Sequence, residues 1–192
     1  MATRSYHHGD LRAALIEAGL ALIEQRGADD LSLRETSRAV GVSAAAVYRH
    51  FPDKMALLRA LAEVGFERLA EAQRTAARAA GGGIPGFNAA CAAYVRFALA
   101  SPGLFRLIFA NRQPRHLVDT LTAEEPESMR LLQRAAAMLA PPGSDSALFA
   151  LRAWSLVHGL AMLLLDGQVT LDDAEIDAAV NAHALVDPGP RH

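Results

Sequence analysis

The sequence contains few of the residues that build disulfides and β-strands. Its single cysteine, Cys91, excludes an intrachain disulfide, which is typical of a protein from a reducing cytoplasm. Aromatic residues make up only 6% of the 192 residues, β-branched residues are sparse, and alanine and leucine dominate. Because 52% of the residues are hydrophobic, the chain has enough apolar side chains for a folded core. We therefore predict an all-α protein of the cytoplasm.

Patterns typical of enzymes and metal proteins are also lacking in the sequence. It has no glycine-rich phosphate loop, no nucleophile elbow and no closely spaced cysteine or histidine ligands, and its seven histidines are scattered. We expect neither an enzyme nor a bound cofactor or metal ion. The formal net charge of −2 further excludes a protein coated in positive charge, so a surface that binds nucleic acid would have to be local.

One apolar run raises the question of a membrane span. Residues 147–165 are almost continuously apolar, but Arg152 and His158 interrupt them. A central arginine costs about 2.5 to 3.5 kcal/mol in a membrane-spanning helix. The first ten residues lack the apolar run of a secretory signal. We expect a buried helix of a helical bundle and no membrane.

Capping residues and helically spaced apolar residues predict about nine helices. Ser32 and Ser43 are typical N-caps, and Gly41 is a typical helix end. The predicted helices cover residues 11–26 after an N-cap at Asp10, then 33–40, 44–50, 54–80, 86–100, 103–111, 125–139, 145–165 and 172–185. The glycine triplet 81–83 predicts a flexible joint. We place a small N-terminal unit at residues 1–60, joined by the long fourth helix to a helical bundle within residues 61–192.

The two short helices on either side of Gly41 have the spacing of a helix-turn-helix. Gly41 supplies the sharp turn, and Val42 and Val47 pack the third helix against the second, which leaves its outer face free to enter a major groove. Basic residues exceed acidic ones by three in this region: Arg34, Arg38, Arg49, Lys54 and Arg59 against Glu35 and Asp53. This local excess predicts a surface that faces phosphates.

This segment resembles the TetR family of bacterial repressors. The resemblance rests on the residues Gly41-Val42-Ser43, Val47-Tyr48, His50-Phe51 and Lys54, and the opening residues 6–12 are also similar to members of the family. The resemblance implies that one group of side chains contacts phosphates: Ser43, Tyr48, His50 and Lys54. It implies that a second group faces base edges: Ala44, Ala45, Ala46 and Arg49, with Arg34 reaching in from the second helix. Packing under the third helix for Tyr48 and a surface cap for His50 remain open as alternatives.

Three alanines on the reading helix limit hydrogen-bonded recognition of bases. Alanine can only touch thymine methyl groups or allow a close approach, whereas arginine can pair with guanine through two hydrogen bonds. We expect Arg34 and Arg49 to carry most of the direct readout. DNA shape and the N-terminal arm that contains Arg4 would add the rest.

The C-terminal sequence resembles one TetR subgroup through the element Trp154-Ser155-Leu156-Val157-His158-Gly159 and a companion run within residues 94–109. The resemblance implies a domain that combines dimerisation with a pocket for a small effector, which we expect to be apolar or amphipathic. The candidate lining residues are Tyr94, Phe97, Phe105, Phe109, Trp154, His158 and Met162. The alternative is that these side chains belong to the core of the bundle.

A single helix-turn-helix binds DNA weakly, so two copies should be presented to half-sites roughly 34 to 36 Å apart. Apolar and small residues at three-four spacing in the last two helices predict a four-helix interface in a homodimer, with an intrachain core as the alternative. Together with the family resemblance, these patterns predict a repressor that an effector releases from a palindromic DNA operator. An activator or a repressor without effector remains open within this class. A helical protein-interaction module without DNA binding is the alternative from another class.

Overall fold

The computed structural model describes residues 8–110, 126–140 and 143–181, with the side chains of residues 8–10 left aside. Within these ranges the chain forms nine α-helices and no strand. The helices are α1 (His8–Arg26), α2 (Leu33–Val40), α3 (Ala44–Tyr48), α4 (Lys54–Ala79), α5 (Gly83–Ala100), α6 (Pro102–Ala110), α7 (Glu127–Leu139), α8 (Ser146–Leu165) and α9 (Asp173–Ala179). The predicted all-α class and the number of helices are confirmed.

Local capping chemistry explains most of the helix boundaries. The Ser32 hydroxyl accepts a hydrogen bond from the Glu35 backbone N–H at 3.2 Å, and the Ser43 hydroxyl accepts one from the Ala46 N–H at 3.2 Å. Gly41 ends α2 in the left-handed region with a φ of 77°. Five ends differ from the sequence prediction by two residues or more: α1 begins at His8 before the predicted cap, α3 ends at Tyr48, α5 begins at Gly83, α7 begins at Glu127, and α9 ends at Ala179.

The first compact unit contains residues 8–65 and 103–110 of the described chain. Its core consists of apolar side chains that are almost completely buried, among them Leu15, Ile23, Val47, Leu57, Leu61 and Phe105. The sequence placed the end of this unit at residue 60 and all later helices in the second unit. Instead α4 stays in the first unit as far as Gly65, and nearly all of α6 belongs to it.

Two glycines explain why α6 packs in the first unit. A Cβ atom at Gly65 would lie 2.5 Å from Cγ2 of Ile108, and one at Gly103 would lie 2.6 Å from the carbonyl oxygen of Ile23. Only glycine allows α6 to approach α1 and α4 so closely. The Glu24 carboxylate then accepts hydrogen bonds from the backbone N–H groups of Gly103 and Leu104 at 3.1 and 3.0 Å. These are N–H groups without partners inside α6, so Glu24 caps the helix from α1.

The glycine triplet that follows α4 is a hydrogen-bonded helix end. Gly82 N–H donates to the Ala77 carbonyl at 3.0 Å and Gly81 N–H donates to the Arg78 carbonyl at 3.1 Å. All three glycines have positive φ. This bonding satisfies the last carbonyl groups of α4 as in a Schellman motif. The predicted flexible joint is therefore a tight, specified turn into α5.

The second compact unit contains residues 66–102, 126–140 and 143–181 of the described chain. In it α5 packs against α8 and α9, and α7 packs against α8. Phe87 of α5 and Phe149 of α8 have ring centroids 6.0 Å apart. Arg96 holds α9 against α5, because its guanidinium lies 2.8 Å from Asp173 Oδ1 and 3.0 Å from Asp177 Oδ1.

Helix α8 is buried on one side only. Its inner face consists of Phe149, Ala150, Ala153, Val157 and Ala161. The opposite face exposes Leu148, Leu151, Ser155, Gly159 and Leu163. By length and composition alone this helix could cross a membrane, although a core helix of a soluble protein meets the same test. In the single chain, therefore, one face of α8 is buried as predicted and the opposite face is exposed.

Candidate nucleic-acid interface and buried polar cluster

The short helix α3 separates an exposed face from a buried one. Ala44 and Ala45 are exposed, whereas Val47 is completely buried and Ala46 has 8% of its surface accessible. The Ala46 methyl group therefore belongs to the packed side of α3, next to Val47. This corrects the expectation that Ala46 faces base edges, since a buried methyl group cannot contact a base.

Tyr48 and Arg49 complete the exposed side of α3. Tyr48 is 50% exposed, so it does not pack under the helix, and Arg49 is exposed at the C-cap position. Ser43 is also exposed, although its hydroxyl caps the helix. We call the side formed by Ser43, Ala44, Ala45, Tyr48 and Arg49 the α3 face. It offers hydroxyl groups, two small side chains and one guanidinium to a ligand.

Helix α2 contributes two exposed arginines beside a carboxylate that is already paired. Arg34 and Arg38 are exposed. Glu35 bonds Arg26 of α1 at 2.9 Å through Oε1, and its Oε2 accepts a hydrogen bond from the Ser32 hydroxyl at 3.0 Å. Glu35 is the acidic residue of α2, and because it serves the helix cap and the contact to α1, Arg34 adds an exposed positive charge to this helix.

Lys54 and His50 lie on the return path to α4. The Lys54 ammonium donates a hydrogen bond to the Asp29 carbonyl oxygen at 2.6 Å, which ties the start of α4 to the loop between α1 and α2. This structural contact was not foreseen from the sequence. An ammonium has three N–H donors, so the contact leaves capacity for a phosphate. His50 is half-buried, and neighbouring Phe51 is buried beneath the guanidinium of Arg12, 5.5 Å from the ring centroid.

In the second unit three of the predicted pocket residues meet between α5 and α8. The Tyr94 hydroxyl lies 2.9 Å from Nδ1 of His158, and Nε1–H of Trp154 donates to the same hydroxyl at 3.4 Å. We call Tyr94, Trp154 and His158 the polar cluster. Trp154 can only donate, so the Tyr94 oxygen accepts from it and keeps its own proton for His158. Burial lowers the pKa of His158, which favours the neutral ring that can accept this proton.

The remaining predicted pocket residues are divided between the two units. Phe97 and Met162 are half-buried in the second unit. Phe105 and Phe109 belong to the first unit, where their ring centroids are 5.1 Å apart and Phe105 is fully buried. Phe105 thus has the environment of a core residue, which was the alternative left open for this group.

Gln73 of α4 is a functional candidate that the sequence analysis missed. Among the described side chains, its Oε1 atom is buried without a hydrogen-bond partner. Its Nε2 donates to the Ala90 carbonyl of α5 at 3.5 Å. The available signal was its spacing, because Gln73 continues the inner stripe of Gly65 and Leu69 at intervals of four residues. Over the described ranges no three His, Cys, Asp or Glu side chains group closely enough to hold a metal ion.

Both halves of the chain match family profiles. Residues 15–61 match the profile described as bacterial regulatory proteins, tetR family, and residues 87–186 match the one described as tetracyclin repressor-like, C-terminal domain. A comparison with proteins of curated function gives no match.

Solved structures are similar over almost the whole chain. A protein of unknown function from Rhodococcus sp. RHA1 is 36% identical with a TM-score of 0.77, covering 94% of this chain and 96% of that one. A TetR-family transcriptional regulator from Pectobacterium atrosepticum is 22% identical with a TM-score of 0.66, covering 99% and 100%. A TetR family transcription regulator from Marinobacter aquaeolei VT8 is 22% identical with a TM-score of 0.62, covering 89% and 92%. The last two similarities concern the fold alone.

Proposed function

Because the chain belongs to the TetR family of transcriptional regulators, which bind DNA through the N-terminal domain, we propose that it is a repressor released from a palindromic operator by a small effector. It acts in the cytoplasm as a homodimer. The observation that carries the proposal is the α3 face, which is exposed, small at its centre and next to a guanidinium. Such a face can enter a major groove.

The proposed contacts follow from exposure and chemistry. Arg49 and Arg34 are exposed guanidinium groups, which can pair with guanine O6 and N7 through two hydrogen bonds. Ser43, Tyr48, His50 and Lys54 offer donors that suit phosphate oxygens. Ala44 and Ala45 allow α3 to approach the bases closely. We leave Ala46 out of this interface because it is buried.

The exposed face of α8 supports the proposed homodimer. Leu148, Leu151 and Leu163 are 38%, 36% and 47% exposed, and they stand on the same side of the helix as the small residues Ser155 and Gly159. A single chain gains nothing from apolar side chains in water, whereas a second copy would bury them. Apart from the adjacent backbone of α8 itself, no atom of the described residues lies within 4 Å of a Cβ built at Gly159, so the glycine leaves room for a close partner helix.

The polar cluster supports an effector site in the second unit. Three polar groups are held together inside an otherwise apolar environment between α5 and α8. Binding sites for small molecules typically combine apolar lining with a few fixed polar groups. A ligand that binds better to one spacing of the two DNA-binding units than to the other would shift the population and release the operator.

The decisive experiment selects bound sequences from random DNA duplexes with the purified protein and then titrates salt on the selected sequence. We expect the protein to select a palindrome. The logarithm of its binding constant should fall linearly with the logarithm of the salt concentration, because phosphate contacts release counterions. Recovery of a single half-site would contradict the homodimer. An absence of enrichment at every salt concentration would favour the alternative of a helical interaction module.

A further inference from the structure

The amide nitrogen of Gln73 faces the backbone of α5. Its Nε2 group faces the Ala90 carbonyl oxygen at 3.5 Å, so the nitrogen cannot be exchanged with the amide oxygen without opposing two acceptors. The Oε1 atom consequently points elsewhere and is buried without a partner. Buried acceptors almost always have a hydrogen-bond donor, so this atom requires an explanation.

The surroundings of Gln73 are apolar at the positions that share its side of each helix. Leu69 and Ala70 precede it by one turn on α4 and are completely buried. On α5, Cys91 and Tyr94 flank the contact at Ala90 and are 7% and 4% exposed. Burial raises the pKa of the Cys91 thiol to about 12, so the thiol is neutral. The Tyr94 proton faces His158 within the polar cluster.

A single ordered water would be a poor partner for Gln73. A buried water usually needs two to four polar partners, and Gln73 Oε1 is the open buried acceptor among the described side chains. A cation would be poorer still. None of the neighbouring residues named above supplies a negative charge, because Leu69, Ala70 and Ala90 are apolar and the Cys91 thiol is neutral.

We propose that Gln73 determines effector specificity and that the effector is an uncharged molecule that donates a hydrogen bond from a hydroxyl or N–H group to Gln73 Oε1. This inference rests on the proposed effector-regulated function. It adds to that function the chemical class of the ligand: a mostly apolar body with one neutral donor. Ala90, whose carbonyl oxygen accepts from Gln73, precedes Tyr94 of the polar cluster by four residues, about one turn of α5.

The first test needs no ligand. Thermal unfolding is measured on the full-length protein, on Gln73→Met and on the control Gln25→Met, which makes the same change at an exposed position of α1. If Gln73 is held for a ligand, removing its open acceptor leaves the midpoint of the free protein unchanged or raises it relative to Gln25→Met. A clearly lowered midpoint would mean that Gln73 serves the fold, and it would overturn the proposal.

The second test uses pairs of probes that differ in one donor: phenol and toluene, indole and N-methylindole, and 1-naphthol and 1-methylnaphthalene. Binding is measured by calorimetry on the wild type and on Gln73→Met. We expect the wild type to prefer the donor of at least one pair by about tenfold, and the variant to lose this preference. A wild type without preference for any donor, or a variant that keeps the preference, would overturn the proposal.

Operator selection with the same protein preparations distinguishes a failure of the proposed repressor function from a failure of the proposed role of Gln73. A wild type that selects no DNA sequence contradicts the proposed repressor, while its probe preferences still report on Gln73. A wild type that selects a palindrome but ignores the donor groups keeps the repressor and removes the assigned effector class.

Discussion

At the scale of single residues, Arg49 is the side chain on which sequence-specific recognition should depend most. Changing Arg49 to Ala removes a possible two-hydrogen-bond contact to guanine, and we expect the free energy of binding to the selected operator to weaken by about 1 to 3 kcal/mol. Binding to scrambled DNA should change much less. Titrations of both duplexes at one salt concentration measure the difference.

Arg78→Ala is the matched control for this change, because it removes one positive charge from an exposed arginine near the end of α4, in the second unit. We expect it to leave the ratio of specific to scrambled binding unchanged. An equal loss on both duplexes with Arg49→Ala would mean that Arg49 contacts phosphates and does not read bases.

His158 gives the polar cluster a defined pH dependence. Burial lowers the pKa of His158 in the folded protein below its ordinary value of 6.5, so the unfolded chain takes up the proton first as the pH falls. The neutral His158 ring makes its full contribution to the free energy of unfolding above the pKa of the unfolded chain. This contribution is lost as the pH falls from the unfolded pKa towards the lower pKa of the folded protein. Lower pH therefore destabilises the fold through this residue.

His158→Gln tests this dependence, since an amide oxygen can still accept the Tyr94 hydroxyl proton but does not titrate. Urea unfolding between about pH 7.5 and pH 5.5 should show a steeper loss of the free energy of unfolding in the wild type than in the variant. Groups that titrate in both proteins cancel in the comparison. Parallel curves would show that His158 is not buried as a neutral ring.

At the scale of helices, the close contact at Gly103 should fix α6 to the first unit. A Cβ at this position would lie 2.6 Å from the Ile23 carbonyl oxygen, and backbone cannot rotate aside as a side chain can. We expect Gly103→Ala to lower the free energy of unfolding by about 1 to 3 kcal/mol, the usual effect of overpacking. Urea unfolding measures it.

Gly159→Ala provides the matched comparison, because apart from the adjacent backbone of α8 no atom of the described residues lies within 4 Å of the added methyl group. Alanine is the better helix former by about 1 kcal/mol, so at protein concentrations where the chain is monomeric and no partner helix lies beside residue 159, this variant should be at least as stable as the wild type. A Gly103→Ala protein as stable as Gly159→Ala would contradict the tight packing of α6.

The helices that the sequence predicted well are those whose ends are decided locally. Helices α2 and α3 follow from Ser32, Gly41 and Ser43, because a hydroxyl cap and a left-handed glycine act within three residues. The assignment of α6 to the first unit was missed. It depends on Gly65 and Gly103, whose neighbours come from distant parts of the chain and leave no periodic pattern near α6 itself.

The exposed residues of the candidate site could be predicted from the sequence, whereas the buried ones could not. The exposure of Arg34, Tyr48 and Arg49 agrees with the positions that the family resemblance implies. The burial of Ala46 was missed, because α3 has only five residues and alanine fits either face of a helix. Gln73 was missed for the opposite reason, since a polar residue within an apolar stripe is usually assigned to the wet face.

At the scale of the whole molecule, the exposed face of α8 with Leu148, Leu151 and Leu163, here called the α8 face, should decide the oligomeric state. Leu151→Glu would place a charge among apolar side chains of the proposed interface, and we expect the dimer dissociation constant to rise by at least about tenfold. Sedimentation equilibrium should show a shift from twice the chain mass of 20.4 kDa towards that mass. Affinity for the full palindrome should fall with it.

Met138→Glu is the control, because Met138 of α7 is 78% exposed and lies outside the α8 face. We expect this variant to sediment like the wild type. A wild type that is already monomeric at the concentrations that bind DNA would contradict the homodimer, and dissociation by both variants would point to a general loss of structure.

The small side chains of the α3 face have a consequence for how such a regulator changes its targets. A single nucleotide change in an alanine codon yields serine, threonine, valine, glycine, proline, aspartate or glutamate. Ala44 and Ala45 are exposed, and α3 packs through Ala46 and Val47, so most of these replacements would leave the core unaltered. After gene duplication, one copy could therefore acquire new base preferences in single steps while the other keeps the ancestral operator.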